Sequence, residues 1–349
     1  TPVPLCMEDF DRLARSLSNV RLREPVVPTR VYVFEHGGTY QAFEMKDTVG
    51  FFLPGWRHHT IVLNAGSLYA SGREIGFHEY VHWLLERSGA VYPRWYEEGL
   101  AEFLSTVRSE GAKATLGRPP LRGSLARLKE EAFGLSRQAE TGSQVVLKES
   151  EQEKEDLFYA RSWAMVHFCL LGHLSGSQVP DRRASLGQFL ALLNDGQSEA
   201  AAFLSAFGKS EEEVQKDLYS YVRRDRYPQV LVPVPPAPGG ERPIQATRPS
   251  AVDVTCTLGE LSLARGKLEQ AATLFQQALD KNPGHARAIA GAAGVLTAQK
   301  RYAAASEKFE RALKKNPERV ETLVDFARHL FARTAQPTAG DDERKAWQE

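Results

Sequence analysis

The chain is short of cysteine, of long apolar runs and of net charge, and each shortage removes a class of protein. Its three cysteines in 349 residues, Cys6, Cys169 and Cys256, are far apart, odd in number and without metal-ligand spacing. They suggest neither a disulfide framework nor a structural zinc site, and read as small buried hydrophobes. The most apolar helical stretch, Trp163 to Leu174, includes His167 and His173 and falls well short of the ~20 residues that cross a bilayer. It reads as a core helix. Forty-four basic residues cancel forty-four acidic ones, and no long stretch is strongly basic, so a footprint for nucleic acid or an anionic membrane is missing. A small or peptide substrate fits better. The first residue is Thr1 rather than Met, compatible with a cleaved signal peptide or with an arbitrary boundary.

The length predicts two domains. A short amphipathic helix is expected near Met7 to Leu17. Three β-rich runs follow, Arg30 to Glu35, Thr39 to Glu44, and Gly50 to Asn64 interrupted at Pro54-Gly55, which resemble hairpin-linked strands. From Ser71 to about Arg224 the pattern is mostly helical. Tyr227 to Ser250 then holds seven prolines and two glycines, the composition of an extended linker. The expected division is residues 1–226 as an α+β domain with a small sheet and active-site helices, 227–250 as linker, 251–335 as an all-α domain, and 336–349 as a polar tail.

The all-α region contains an internal repeat. Leu268 to Pro283 realigns with Tyr302 to Pro317 at an offset of 34 residues, matching Ala271 with Ala305, Phe275 with Phe309, Ala278 with Ala312, Leu279 with Leu313 and the closing Asn-Pro. Such a period of paired helices, with small residues where helices approach and a proline ending each unit, resembles the tetratricopeptide repeat. Two full units and one extra helix, Arg319 to Ala332, are expected. Phe275, Phe309, Tyr302 and the alanines are core positions, and only the groove between helices suggests a role, that of binding a protein partner.

Chemistry concentrates between Ser71 and Val107. Ser71 to Gly89 reads as one helix, with Ser71 and Glu74 as a capping box and Gly89 as its left-handed end. His78 and His82 stand one turn apart, about 40° around the axis, so both imidazoles face one point with Glu79 beside them. This is the arrangement in which two imidazoles hold zinc and the adjacent carboxylate reaches a water. The five-residue pattern alone would arise in about two of a hundred such sequences, so a third ligand is required. In Tyr92 to Val107, Pro93 suits a first helical position, and Glu98 and Glu102 share one face. The first helix runs roughly 9 Å from His82 to Ser88, and Arg94 to Glu98 climbs back about 7.5 Å. Glu98 thereby returns to the level of the histidines. Gly99 removes a side chain where these two helices come close.

His-Glu-Tyr-Val-His followed by Trp-Tyr-Glu-Glu-Gly-Leu-Ala-Glu-Phe resembles the gluzincin metallopeptidases, specifically the bacterial peptidase MA-like domains. The resemblance implies a zincin-like fold, one zinc ion on His78, His82 and Glu98, and Glu79 as catalytic base. It implies Glu102 as an acidic residue supporting a ligand histidine, although a solvated helix residue is the plainer reading of that position. The connector between His82 and Glu98 is shorter than in the best-known gluzincins. Phe158 to Leu170 is similar to an aminopeptidase helix that opens with an oxyanion-stabilising tyrosine, which implies that role for Tyr159; core packing is its bland alternative. The Gly-x-Met-Glu-Asn segment that holds a substrate amine in those enzymes is absent, so recognition of a free N-terminus is unsupported. His58 and His59 are expected to be exposed strand residues, with an edge strand beside a bound peptide as the sharper alternative.

The expected activity is zinc-dependent peptide-bond hydrolysis, with the repeats binding substrate or partner. The rivals are an interaction scaffold with an inactive metal site, against which a base beside an open ligand position argues, and a zinc hydrolase of a non-peptide substrate. The family resemblance favours a bacterial extracytoplasmic location, periplasmic or membrane-anchored after signal cleavage.

Overall fold

In the computed structural model the described residues are 7–18, 28–35, 40, 49–55, 58–65, 72–110, 112–120, 124–141, 151–176, 179–224, 226–235 and 249–335. The chain divides into two units, Thr1–Glu241 and Arg242–Glu349.

The first unit opens with α1 (Met7–Ser18), β1 (Thr29–Phe34), β2 (Gly50–Leu53) and β3 (His59–Asn64). The strand order is β1-β3-β2. The run Thr60-Ile61-Val62 is buried throughout, as a central strand covered on both faces requires. The hairpin expected around Pro54-Gly55 joins β2 and β3 antiparallel. The expected hairpin between Arg30–Glu35 and Thr39–Glu44 lies almost wholly outside the described residues, and the neighbour that β1 does have is β3, to which it runs parallel, with Thr29 opposite His59. Parallel neighbours need a crossover instead of a turn. Of the expected strand Thr39 to Glu44 only Tyr40 is described, and it is helical and buried; the remainder lies outside the described residues. His58 and His59 are half-buried instead of exposed, and β3 is the centre of the sheet instead of an edge.

Beyond the sheet come α2 (Gly72–Ser88) and α3 (Arg94–Ser105). A hairpin of β4 (Arg108–Glu110) and β5 (Lys113–Leu116) then interrupts the stretch expected to be helical. The unit continues with α4 (Ser124–Thr141), α5 (Glu151–Leu171), a short 3-10 turn, α6 (Arg183–Asn194), α7 (Glu199–Phe207), α8 (Glu211–Val222) and β6 (Val230–Pro233). β6 pairs antiparallel with β5, Leu116 opposite Val230. The proline-rich stretch expected to be linker from residue 227 therefore begins as an edge strand, a position that tolerates proline. Arg12 Nε donates to the Pro235 carbonyl at 2.8 Å, tying this strand's exit to α1. Residues 236–248 of the expected linker and the expected tail lie outside the described residues. No helix among the described residues is long and apolar enough to cross a membrane.

The core of the unit gathers on α5, where Trp163, Phe168 and Cys169 are fully buried. Burial pushes the Cys169 thiol up, consistent with an inert hydrophobe. His167, also fully buried, is a latch between elements distant in sequence. Its Nε2 lies 3.1 Å from both the Gly117 and Pro228 carbonyls, and its Nδ1 lies 2.9 Å from the Tyr221 hydroxyl. Carbonyls only accept, so Nε2 carries the proton and Nδ1 accepts from Tyr221. Burial lowers the His167 pKa from 6.5 to about 4. The unfolded chain therefore binds the extra proton first as pH falls, and native stability is lost between pH 6.5 and 4, by up to about 3 kcal/mol. Urea midpoints measured across that window are expected to fall more steeply for the parent than for His167→Gln. Equal slopes would refute the latch.

The second unit is all helical, with α9 (Ala251–Ala264), α10 (Leu268–Lys281), α11 (Ala286–Ala298), α12 (Tyr302–Lys315) and α13 (Val320–Thr334). Phe275 on α10 is fully buried between Gly259 of α9 and Gly291 of α11; a Cβ at either glycine would come within 2.9 Å and 2.1 Å of its ring, respectively. Small residues therefore stand where the helices approach. Phe309, the counterpart one period on, packs against Phe326 of α13 at a centroid distance of 5.4 Å. Cys256 is buried here, its thiol pushed up to about 11 by burial, and Cys6 lies outside the described residues.

Candidate metal centre

α2 carries two of the expected ligands and the expected base. Its core side buries Ile75, Phe77, Val81, Leu84 and Leu85, and Phe77 stacks on Phe10 of α1 at 3.9 Å between centroids. Trp83 Nε1 donates to Thr29 Oγ1 of β1 at 2.6 Å. The helix is thus held from two sides. Its left-handed end at Gly89 (φ 65°) is as expected, while Ser71 of the expected capping box lies outside the described residues. Glu74, the other member of that box, is buried and ion-paired with Arg108 of β4.

His78 and His82 Nε2 atoms lie 3.1 Å apart. Glu98 Oε2 on α3 is 3.4 Å from His78 Nε2 and 3.5 Å from His82 Nε2. Ligand atoms about 2.0–2.1 Å from a tetrahedral ion are separated by about 3.3–3.4 Å, so this triangle has the size of one face of such a tetrahedron. Among the described residues, these three form the group of His, Cys, Asp or Glu side chains that converges to within 4.8 Å. Glu98 Oε2 is buried, and its approaches to the two imidazoles, at 3.4 and 3.5 Å, are too long to be more than weak hydrogen bonds, an arrangement that costs free energy unless a positive charge is shared with the imidazoles. The donor set, two imidazoles and a carboxylate, fits a catalytic zinc site.

The surrounding charge also favours a cation. Burial pulls the His78 pKa down, yet hydrogen bonding to Glu98 and the charges of Glu102, Glu79 and Glu98 outweigh it and raise the value to about 9. Burial would raise the Glu98 pKa, but His78 and His82 hold it well below the usual carboxylate range. Glu102 is buried, and its Oε1 stands 3.6 Å from His78 Nδ1. That is an ion-pair contact longer than a hydrogen bond, and it faces the ring nitrogen opposite the one turned to Glu98 and His82. The plainer reading of Glu102 as a solvated residue is corrected by its burial.

Glu79 is 6% exposed and lies between α2 and the edge strand β2. A Cβ at Gly50 would meet its Oε1 at 3.1 Å and Ile75 Cγ2 at 2.5 Å, so glycine at the start of β2 leaves the carboxylate its room. Tyr159 on α5 also borders the cluster, its ring centroid 6.4 Å from that of His78. Burial, then the charges of Glu98 and Glu155, push its phenol above the usual range. It keeps its proton and remains a hydrogen-bond donor.

Gly99 has a different partner from the one expected. A Cβ there would lie 2.3 Å from the Ser162 carbonyl oxygen and 2.7 Å from Val166 Cγ2, so the close approach is to α5, not to α2. The consequence is visible in the site: Tyr159 and Ser162 are about one turn apart on α5, and seating that helix against Gly99 brings Tyr159 beside His78. Sequence reading missed Gly50, Arg108 and Asn194. Asn194 on α6 accepts from Val91 N at 2.7 Å and donates to Val91 O at 3.0 Å, pinning the connector between α2 and α3. A partner 103 residues away leaves no local signal.

No curated protein and no solved structure matches the chain. Residues 262–321 match the family model described as tetratricopeptide repeat, from the end of α9 to the start of α13. The helical second unit accordingly carries tetratricopeptide repeats.

Proposed function

We propose that the first unit is a zinc-dependent peptidase of the gluzincin type and that the repeats bind a protein, either substrate or partner. The observation that carries the catalytic reading is the convergence of His78, His82 and Glu98 with Glu79 buried beside them. The three would hold the ion, which when bound supplies Lewis acidity toward a peptide carbonyl and lowers the pKa of water. Glu79 takes a proton from the attacking water and passes it to the leaving amine. Tyr159 donates a hydrogen bond to the oxyanion that forms at the carbonyl. Glu102 orients His78 through Nδ1, so that Nε2 keeps its lone pair for the ligand role.

A second reading has its own support. The repeat match favours protein binding and says nothing of catalysis, so by itself it supports an interaction scaffold whose metal cluster is inactive better than it supports the peptidase. One experiment divides the two. The full chain is assayed on an unfolded, fluorescently labelled polypeptide, stripped with a chelator and reloaded with zinc. Cleavage that disappears and returns with one equivalent of zinc supports the peptidase. Bound zinc without cleavage of any unfolded polypeptide leaves the scaffold.

A further inference from the structure

The geometry points to a second ligand site in the first unit, a pocket for a small organic anion between the end of α5, residues 179–185, and the α7–α8 pair. The cavity is about 310 Å³, within the range of small-molecule sites. Phe168, Val179, Phe207 and Val214 form its apolar wall, while Arg182, Lys209 and Arg224 bring three cations to it. Arg182 is the built element. Its side chain is only 7% exposed, and its guanidinium lies 4.2 Å from the centroid of Phe168. It donates to the Pro180 carbonyl at 3.3 Å and to Asp217 Oδ2 at 2.9 Å.

The charges in the lining do not balance. Lys209 Nζ donates to the same Asp217 oxygen at 2.8 Å, so one carboxylate serves two cations. Asp181, the other acid in the lining, is engaged by the Arg183 guanidinium, which is not part of the lining. Three cations thus face the cavity against two carboxylates, one of which already serves Arg183 outside the lining. A guanidinium fixed over an aromatic ring matches a planar carboxylate or a phosphate, and the neighbouring apolar wall suits a flat hydrocarbon body. The ligand class is an aromatic or similarly compact molecule with one anionic head. Phe168 is nine residues beyond Tyr159 on α5, about 13 Å along the helix. The pocket is therefore separate from the metal cluster and independent of the peptidase reading.

The test uses the full chain and four matched probes: benzoate, phenyl phosphate, benzyl alcohol and benzylammonium, followed by ligand-observed NMR titration. Both anions are expected to bind saturably, at least about tenfold more tightly than the neutral and cationic probes, and to weaken as salt rises. The stronger anion identifies the head group. Lys209→Gln combined with Arg224→Gln, with near-ultraviolet circular dichroism checking the fold, should weaken the anions about tenfold. Arg224→Gln alone, at an exposed position, gives the same test in smaller measure if the double variant does not fold. Benzyl alcohol binding as well as the anions, no saturable binding by either anion, or unchanged binding in the variants would overturn the proposal and leave the cations as structural ion pairs.

Discussion

Replacing Glu79 by glutamine is expected to leave the metal content unchanged and to lower turnover of an unfolded polypeptide by about a thousandfold, within the range that general-base catalysis contributes. The amide has the shape of the carboxylate, so it still fits between α2 and Gly50, where a Cβ would already come within 3.1 Å of Glu79 Oε1. What it loses is the ability to accept a proton. Because Glu79 is outside the converging group, elemental analysis of the variant should match the parent, and that separates a catalytic loss from a folding loss. Parent-like turnover in Glu79→Gln would remove the mechanism; loss of the metal together with activity would show that Glu79 acts on the site's structure instead.

The second large effect is on the metal itself. Glu98→Ala is expected to lose zinc under dialysis that leaves one equivalent on the parent, because two imidazoles alone fall short of the three protein ligands of a catalytic site. Glu102→Ala is expected to weaken zinc about 10–100-fold, the usual cost of removing a carboxylate that orients a ligand imidazole. The order of the two losses is the informative part. Glu98 Oε2 lies 3.4 and 3.5 Å from two nitrogens, whereas Glu102 reaches only the far side of one ring, at 3.6 Å. Competition against a chromophoric chelator measures both. If Glu98→Ala retains a full equivalent, the third ligand is misassigned, and if Glu102→Ala costs more than Glu98→Ala, the two carboxylates have exchanged roles.

Parts of this site were readable along the chain because they depend on spacing within one or two helices. His78 and His82 share a face for the same reason that any residues four apart do, and Gly89 and Pro93 bracket a connector short enough to return Glu98 to them. The repeat was readable for a related reason: a 34-residue period with small residues at fixed places registers contacts between neighbouring helices, such as Phe275 between Gly259 and Gly291. What could not be read depends on which distant segment arrives. Gly99 marks a close approach in sequence, but the choice of α5 over α2 as its neighbour belongs to packing, and only that choice carries Tyr159 to the cluster.

The same division runs through the sheet and the linker. An alternating run predicts a strand, yet parallel or antiparallel pairing is set by where the intervening chain crosses, so β1 joined β3 in the direction opposite to a hairpin. Proline content predicted an extended chain from residue 227, and extended it is over Val230–Pro233; β5 offered an open edge, which turned that extension into a strand of the first unit. By itself the sequence determined the two helices that carry the candidate ligands, the repeat period and the identity of those candidates, all of them consequences of local periodicity. Tertiary structure alone decided strand pairing, the confinement of Glu79 against Gly50, and the clamp of Asn194 on the connector, because each joins groups whose separation along the chain leaves no periodic trace.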